Sequence, residues 1–323
     1  MKTAAAQIRR AVLGGALSAL ACSGALAQSP ASCPPQAQQP TAEQIQTNTR
    51  NARDHGFLWR ISKGGRDSYL YGTVHVAKLE WAFPGPLTQK ALHDSDAVAL
   101  EIDMLDPDMQ RRLVEGLHAQ AGTPLPEAVR QRLNRRVQAE CLPDQALAGL
   151  SPELQVATLM SIIGRRDGLD PSYGIDVVLA GWGHASKMSV VSLESPELQL
   201  KTLQMPSAAE TLEFVESALD ELESGRAAPT LVRVAQVWAD SDLAALLSYE
   251  SWCECVKTNA DRAAMARMLD ERNPGLADGI ATLHAQGKKV FAAVGSLHMV
   301  GPQGLPALMA QRGFKVERVV FQP

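Results

Sequence analysis

Short apolar runs alternate with longer amphipathic stretches along this chain from about residue 55 onward. Six of the runs predict strands, because they are short, rich in β-branched or aromatic residues and bounded by turn residues. They lie at residues 57–61, 68–72, 96–102, 189–194, 289–294 and 316–321. The first two are separated by a turn containing Gly64 and Gly65, which predicts a hairpin.

Helices are predicted between most of these strands. One covers Pro86–His93, and amphipathic periodicity continues over residues 212–222 and 263–269. Ser151 and Ser195 are each followed by Pro and then Glu, which predicts a helix start with a capping Ser, Pro at the first helical position and an acid in the first turn. Strands separated by long helical segments predict a single α/β domain with a central sheet flanked by helices.

The first residues predict a targeting segment. Basic residues precede an apolar stretch over residues 11–21, and a small-x-small cleavage site ends at Ala27. We therefore interpret residues 1–27 as a signal peptide of an exported protein, located in the periplasm or secreted. Cys22 is a less favoured lipidation site, because Ala19 stands where a larger aliphatic residue is preferred.

Residues 28–54 are rich in Pro, Gln, Ala and Thr and predict a flexible tail, tethered through Cys33, before a domain over residues 55–323. The four cysteines after the leader predict two disulfides in an oxidising compartment, with three possible connectivities. They are Cys33, Cys141, Cys253 and Cys255. A direct bridge between the last two is geometrically awkward, so each is expected to pair with a distant partner. A thiolate metal site is the competing interpretation, although the spacing matches no zinc signature.

The charge balance argues against a nucleic-acid partner, and the hydropathy argues against a transmembrane segment. The chain has 35 acidic and 31 basic residues, and removing the leader makes the balance more acidic. Without a basic stripe, nucleic acid is not an expected partner. No run after the leader reaches about 18 uninterrupted apolar residues, so no transmembrane segment is predicted.

The chain contains the pattern Gly-x-x-His twice, each time at the end of a predicted strand. The copies are Gly72 to His75 and Gly295 to His298. Glycine permits a tight turn and close backbone approach where a strand ends. Because α/β sheets bind ligands beyond the carboxyl ends of their strands, the two histidines predict one shared site.

Two acids end other predicted strands, and a buried acid is costly without a partner. Glu101 and Glu194 could therefore meet His75 and His298 at one sheet edge. Two imidazoles with a carboxylate suit Zn²⁺, Mn²⁺, Co²⁺ or Fe²⁺, and a bound ion would turn water into a nucleophile with the second carboxylate as general base. Arg272 could bind a substrate carboxylate or a developing oxyanion.

Structural roles compete with each of these assignments. A lone histidine is more often structural than a ligand, and either strand-end acid could cap a helix or pair with an arginine. Asp176 and Gln199 could be helix-surface residues, and no Gly-x-Ser-x-Gly elbow surrounds Ser296. We interpret the remaining histidines as structural; they are His55, His93, His118, His184 and His284.

Taken in order, these motifs resemble the TraB/GumN family, which includes the Tiki-type Wnt proteases. The resemblance runs from about Phe57 to Val320. The residues that carry it are 58–59, 69–75, 100–103, 173–176, 193–199, 272–273 and 294–301.

The resemblance implies a mixed sheet flanked by helices, related to the erythromycin-esterase and ChaN-like superfamily. In Tiki-type members, paired Gly-x-x-His motifs and an acid support metal-dependent peptide cleavage. The resemblance thus implies a hydrolase and, more specifically, a peptidase. It also implies a divalent ion (Mn, Co or Zn) bound at His75, His298 and Glu101. Its substrate would be a peptide or a small molecule. The alternative is a non-catalytic periplasmic binder that sequesters a peptide, haem or a metal ion.

Overall fold

The computed structural model describes residues 33–119, 122–253, 255–256 and 259–322. The predicted signal peptide and the candidate lipidation site at Cys22 lie outside the described residues. Among the helices within the described ranges, none is long and apolar enough to cross a membrane.

Six strands form one sheet in the order β4-β3-β5-β2-β1-β6. The strands are β1 (Phe57–Lys63), β2 (Arg66–Thr73), β3 (Ala97–Leu100), β4 (Ser189–Ser192), β5 (Val290–Gly295) and β6 (Lys315–Val319). The four from β4 to β2 are mutually parallel, whereas β1 is antiparallel to both of its neighbours. The α/β class and the mixed sheet are thereby confirmed, and the finer superfamily assignment stays a prediction.

The central strands are buried on both faces, as their continuous apolar sequence requires. Every residue of β3 is buried, and so is β5 from Val290 to Val294. The predicted third and fourth strands extended to Ile102 and Glu194, but β3 ends at Leu100 and β4 at Ser192. The predicted acids therefore lie just beyond their strands, where the Glu194 backbone N–H still donates to the Glu101 carbonyl over 2.9 Å.

Helices cover the sheet and extend away from it. They are α1 (Ala42–Arg50), α2 (Pro86–His93), α3 (Pro107–Ala119), α4 (Glu127–Ala139), α5 (Pro152–Ile162), α6 (Ile175–Ala185), α7 (Pro196–Leu203), α8 (Ala208–Glu223), α9 (Ala227–Ala239), α10 (Leu243–Leu247), α11 (Asn259–Met268), α12 (Asn273–Ala285) and α13 (Leu305–Gln311). Shorter 3-10 turns lie at Leu79–Ala82, Ile163–Asp167, Pro171–Tyr173, Tyr249–Ser251 and Ser296–Met299. The predicted helix starts at Pro152 and Pro196 are confirmed, but only Ser195 caps its helix through its side chain, by accepting the Leu198 backbone N–H; Ser151 makes no such bond. Helices α4, α5 and α8 bury a separate apolar cluster of their own.

The segment predicted as a flexible tail contains the helix α1, so order begins before Phe57, where we expected it. A capping box starts this helix: the Gln44 backbone donates to Thr41 Oγ1 over 3.2 Å, and the Thr41 backbone donates to Gln44 Oε1 over 2.8 Å. Ile45 is buried beside Phe83. Thr-x-x-Gln was the local signal that the compositional interpretation missed.

Two disulfides join Cys33 to Cys141 and Cys253 to Cys255. The expectation that the last two pair with distant partners was wrong. Their Cα atoms lie 5.1 Å apart, within the range that a disulfide spans. Because these four cysteines are all disulfide-bonded, none of them offers a thiolate to the competing metal site.

Removing the long-range bridge should destabilise the protein. Cys33→Ser with Cys141→Ser opens a loop closed over 108 residues, and the free energy of unfolding should fall by about 2–4 kcal/mol because the unfolded chain gains entropy. Non-reducing urea denaturation measures the loss. The matched control, Cys253→Ser with Cys255→Ser, opens a very short loop and should cost less. An equal loss in both variants would contradict this account.

Candidate functional site

The carboxyl ends of the four parallel strands meet at one edge of the sheet. Thr73 of β2 pairs with Gly295 of β5, and Leu100 of β3 pairs with Ala293 of β5 and Ser192 of β4. Each strand is followed within three residues by one of the predicted site residues. These are His75, Glu101, Glu194 and His298. The predicted convergence therefore follows from strand order and register.

Glu101 lies at the centre of the cluster and is 9% exposed. Its Oε1 accepts the backbone N–H of Gly295 over 2.8 Å and lies 3.8 Å from His298 Nε2, while its Oε2 accepts Arg272 Nη2 over 2.6 Å. Burial raises the pKa of Glu101, but the positive charges that His75 and His298 carry when protonated, together with Arg272, outweigh burial and lower it to about 2. Glu101 is therefore a charged carboxylate at neutral pH.

Arg272 links the two acids. Its Nε donates to Glu194 Oε1 over 2.9 Å and its Nη2 donates to Glu194 Oε2 over 2.5 Å, a bidentate pair. Its Nη1 donates to the Met268 carbonyl over 2.9 Å. Because most of its donors have partners inside the protein, Arg272 holds both carboxylates in position. Its predicted role toward a substrate carboxylate or oxyanion stays a prediction, as does the role of Glu194 as a base.

His298 is held so that one ring nitrogen faces the cluster. Asn273 donates its Nδ2 to the Gln303 carbonyl over 2.8 Å, so its Oδ1 accepts from His298 Nδ1 over 2.6 Å. That bond puts the imidazole proton on Nδ1 and leaves a lone pair on Nε2, the nitrogen that faces Glu101. Burial lowers the pKa of His298, which keeps the ring neutral.

His75 is oriented in the same way by a different element. Its Nδ1 donates to Asp176 Oδ2 over 2.7 Å, and Thr73 Oγ1 donates to Asp176 Oδ1 over 2.5 Å. The charge of Asp176 raises the pKa of His75, although solvent screens this pair because the imidazole is 67% exposed. Asp176, considered above as a helix-surface residue, instead fixes the histidine.

Gly295 leaves a small space among these groups. A methyl carbon at this position would lie 3.4 Å from Glu101 Oε1, 3.5 Å from His75 Nε2 and 3.6 Å from His298 Cδ2. Three potential ligand groups therefore surround one point that no side chain fills. The first Gly-x-x-His motif is held against the neighbouring loop by Gly174, where a methyl carbon would lie 2.6 Å from the His75 carbonyl oxygen.

The donor chemistry of this cluster fits a divalent ion. No group of three or more His, Cys, Asp or Glu side chains in the described residues is preassembled as a metal site. Metal bonds of about 2.1 Å at tetrahedral angles place ligand atoms about 3.4 Å apart. His298 Nε2 and Glu101 Oε1, at 3.8 Å, are only slightly farther apart than that. Both histidines have the Nδ1 partner that metal-binding imidazoles characteristically use.

Charge balance favours a cation here as well. Three carboxylates surround the cluster and Arg272 supplies one compensating positive charge. They belong to Glu101, Glu194 and Asp176. Even with His75 protonated, as its raised pKa favours, two positive charges face three carboxylates, and a divalent ion would offset the excess negative charge.

Other candidate residues have structural contacts. Ser296 Oγ donates to the Thr73 carbonyl over 2.8 Å and is buried, and Gln199 Nε2 lies 3.4 Å from Glu194 Oε2. His184 pairs with Asp103. The site residues that sequence reasoning missed are Asp176 and Asn273. Asp176 occupies the first turn of α6 just after Gly174, and Asn273 begins α12 beside Arg272, so proximity to other motif residues was the available signal.

Comparison with known proteins agrees with the resemblance seen in the motifs. A segment of 84 residues is 32% identical to "Metalloprotease TIKI2" of Xenopus tropicalis, covering 26% of this chain and 16% of that relative. The chain thus matches only a small part of that protein's length. No solved structure shows a significant match. The family model described as TraB/PrgY/gumN family matches residues 57–318, most of the chain, and the protein belongs to that family.

Proposed function

We propose that this protein is a metal-dependent hydrolase, and more specifically a peptidase. It binds one divalent ion through His75, His298 and Glu101. The supporting observation is the arrangement around Gly295. His75 Nε2 and Glu101 Oε1 border the space beside Gly295, and His298 Nε2 lies 3.8 Å from that Glu101 oxygen. Both imidazoles are hydrogen-bonded through Nδ1. Family membership and the partial likeness to a metalloprotease support the same reading.

The residues around the ion would divide the remaining tasks. When bound, the ion would supply Lewis-acid polarisation and a water of lowered pKa. Arg272 keeps Glu101 charged and fixed through Oε2, which leaves Oε1 toward the open space. Glu194 is the second carboxylate, and each of its oxygens accepts one hydrogen bond from Arg272, which favours its charged form. The exposed ring of His75 leaves the site open to solvent and substrate on that side.

Export is part of the proposal. The leader-like residues 1–27 and two disulfides fit an oxidising compartment, either the periplasm or the medium. The ion would be Mn²⁺, Co²⁺ or Zn²⁺, all of which accept imidazole and carboxylate ligands.

Metal content and peptide cleavage test the proposal together. Protein purified without a His tag should carry one divalent ion per chain by elemental analysis. It should also cleave members of a peptide library supplied with Mn²⁺, Co²⁺ or Zn²⁺, and a chelator should stop the cleavage. Glu101→Gln should lower turnover at least about a hundredfold. His75→Ala and His298→Ala should lower metal content.

Matched surface variants control for non-specific effects. Glu317→Gln and His93→Ala change exposed residues outside the cluster and should retain metal and activity. The proposal is refuted if the unmodified protein lacks stoichiometric metal and the histidine variants bind as much metal as the unmodified protein does. Stoichiometric metal without cleavage of any peptide would instead support the non-catalytic binder.

A further inference from the structure

A cavity of about 190 Å³ opens between α6 and the 3-10 turn Leu79–Ala82. Its lining is mostly apolar. Its larger apolar side chains include Leu79, Pro84, Leu105, Val177, Val178 and Trp182. The side-chain cluster proposed to bind the ion (His75, Glu101 and His298) contributes no residue to this lining, so the cavity is distinct from the ion site.

The residues that line the cavity and the residues of this side-chain cluster come from the same segments of the chain. Leu79 follows His75 in the loop after β2, Leu105 follows Glu101 in the loop after β3, and Val177 is the neighbour of Asp176. The backbone links these segments, because the N–H that begins α6 donates to the Val74 carbonyl over 2.9 Å. A group seated in the cavity would therefore be held at a defined position relative to the cluster.

Size and polarity define what the cavity can hold. An apolar cavity of about 150 Å³ in another protein stays dry and binds benzene. This cavity is larger, at about 190 Å³, and Trp182 supplies an aromatic wall. It is therefore large enough for a phenyl ring or a branched aliphatic group, whereas a charged group would lose its hydration there without a partner.

The N-terminal segment forms the outer wall. Ala37, Gln38 and Gln39 line the cavity, and the Gln38 backbone donates to and accepts from the Tyr173 hydroxyl, both over 3.0 Å. The bridge from Cys33 to Cys141 anchors the start of this segment. The outer wall is thus an ordered part of the protein, which favours a selective cavity over an accidental void.

We propose that this cavity is the subsite for one bulky apolar side chain, such as Phe or Leu, of a peptide substrate. The inference rests on the proposed function, since the cluster supplies the reason to expect a peptide beside the cavity. The side chain enters between α6 and the loop after β3 and positions the neighbouring peptide bond at the cluster. Peptides with a small or charged residue at that position lose this anchor.

Equilibrium binding tests the subsite without requiring turnover. The probes are pentapeptides, acetyl-Ala-Ala-X-Ala-Ala-amide with X as Phe, Leu, Ala or Asp, titrated into chelator-treated protein and followed by calorimetry or ligand-observed NMR. The Phe and Leu peptides should bind at least about tenfold more tightly than the Ala and Asp peptides, since burying a large apolar side chain is favourable.

Filling the cavity should remove that preference. Val177→Phe and, on a different segment of the lining, Leu105→Phe should each reduce the advantage of the Phe peptide to less than about twofold. Val234→Phe is the matched control, because Val234 is 39% exposed on α9, and it should keep the preference. Thermal unfolding identifies any variant that fails to fold, and two filling variants keep the test available if one does.

The outcomes separate the subsite from the catalytic proposal. Absent binding, equal affinity for all four peptides, or a preference that survives in both filling variants overturns the subsite, even if other peptides are cleaved. A preference lost in the filling variants, without cleavage of any peptide by the metal-loaded protein, supports the subsite and refutes the hydrolase.

Discussion

Gly295→Ala should abolish metal binding and activity while the protein stays folded. The added methyl group would lie 3.4 Å from Glu101 Oε1 and 3.5 Å from His75 Nε2, which are ordinary van der Waals distances, so the fold can accept it. It would occupy the space that these ligand atoms share. We expect metal affinity and turnover each to fall at least about a hundredfold, because ligand sites tolerate little displacement.

Elemental analysis, a metal titration and thermal unfolding of the Gly295→Ala variant check this prediction. The melting temperature should stay within a few degrees of the original value, since no clash is introduced. Gly275→Ala is the matched control: Gly275 lies in α12, and a methyl carbon there meets nothing within 4 Å. If Gly295→Ala retains full metal content and activity, the ion does not bind among these three groups.

Arg272→Met should be the most destabilising single change at the site. It leaves two carboxylates with side-chain exposures of 10% and 3% without their cation, namely those of Glu101 and Glu194. Breaking a buried ion pair by removing one partner costs about 3–5 kcal/mol. Chemical denaturation at neutral pH measures the loss. Arg60→Met, which removes a pair exposed by 45% and 37%, should cost no more than about 1 kcal/mol.

The dependence on pH gives this prediction a distinct signature. In the unmodified protein the folded-state pKa of Glu101 is lowered to about 2 from an ordinary 4.5, so its contribution to stability is present above pH 4.5 and is lost as pH falls toward 2. Without Arg272 that contribution shrinks. The stability difference between the two proteins should therefore narrow as pH falls below about 4.5.

Relieving the excess charge should also restore stability. Glu194→Gln added to the Arg272→Met variant removes one of the unpaired carboxylates, and the double variant should recover part of the lost free energy of unfolding. A constant difference between pH 7 and pH 3, together with no recovery in the double variant, would show that Arg272 acts through packing alone.

Local patterns were enough to locate the strands and several helices. All six predicted strands are present, because short apolar runs bounded by turn residues favour strands both in the buried centre of the sheet and at its half-exposed edges. The Pro86–His93 helix has the predicted bounds. The errors have local causes too. Compositional bias concealed the capping box at Thr41, and the spacing of Cys253 and Cys255 was judged without knowing how the backbone bends there.

The candidate site was only partly predictable. His75, His298, Glu101, Glu194 and Arg272 were identified because each stands at an element boundary in a suggestive context. Their supporting partners were not identified. Asp176 and Asn273 are separated from the histidines they orient by 101 and 25 positions, and nothing in periodicity specifies such a pairing.

The sequence by itself determined which segments form strands and which candidate residues lie near their ends, because alternation, glycines and capping residues act over a few positions. Only the tertiary structure decided that β2 and β5 lie side by side. Residues that pair across these two strands are 222 positions apart in sequence, and their pairing brings the two Gly-x-x-His motifs together. It also decided which nitrogen of each site histidine is hydrogen-bonded, how Arg272 divides its donors between two acids, and that residues a few positions from the cluster line an apolar cavity. Those features depend on contacts between distant segments, and such contacts form only when the whole chain packs.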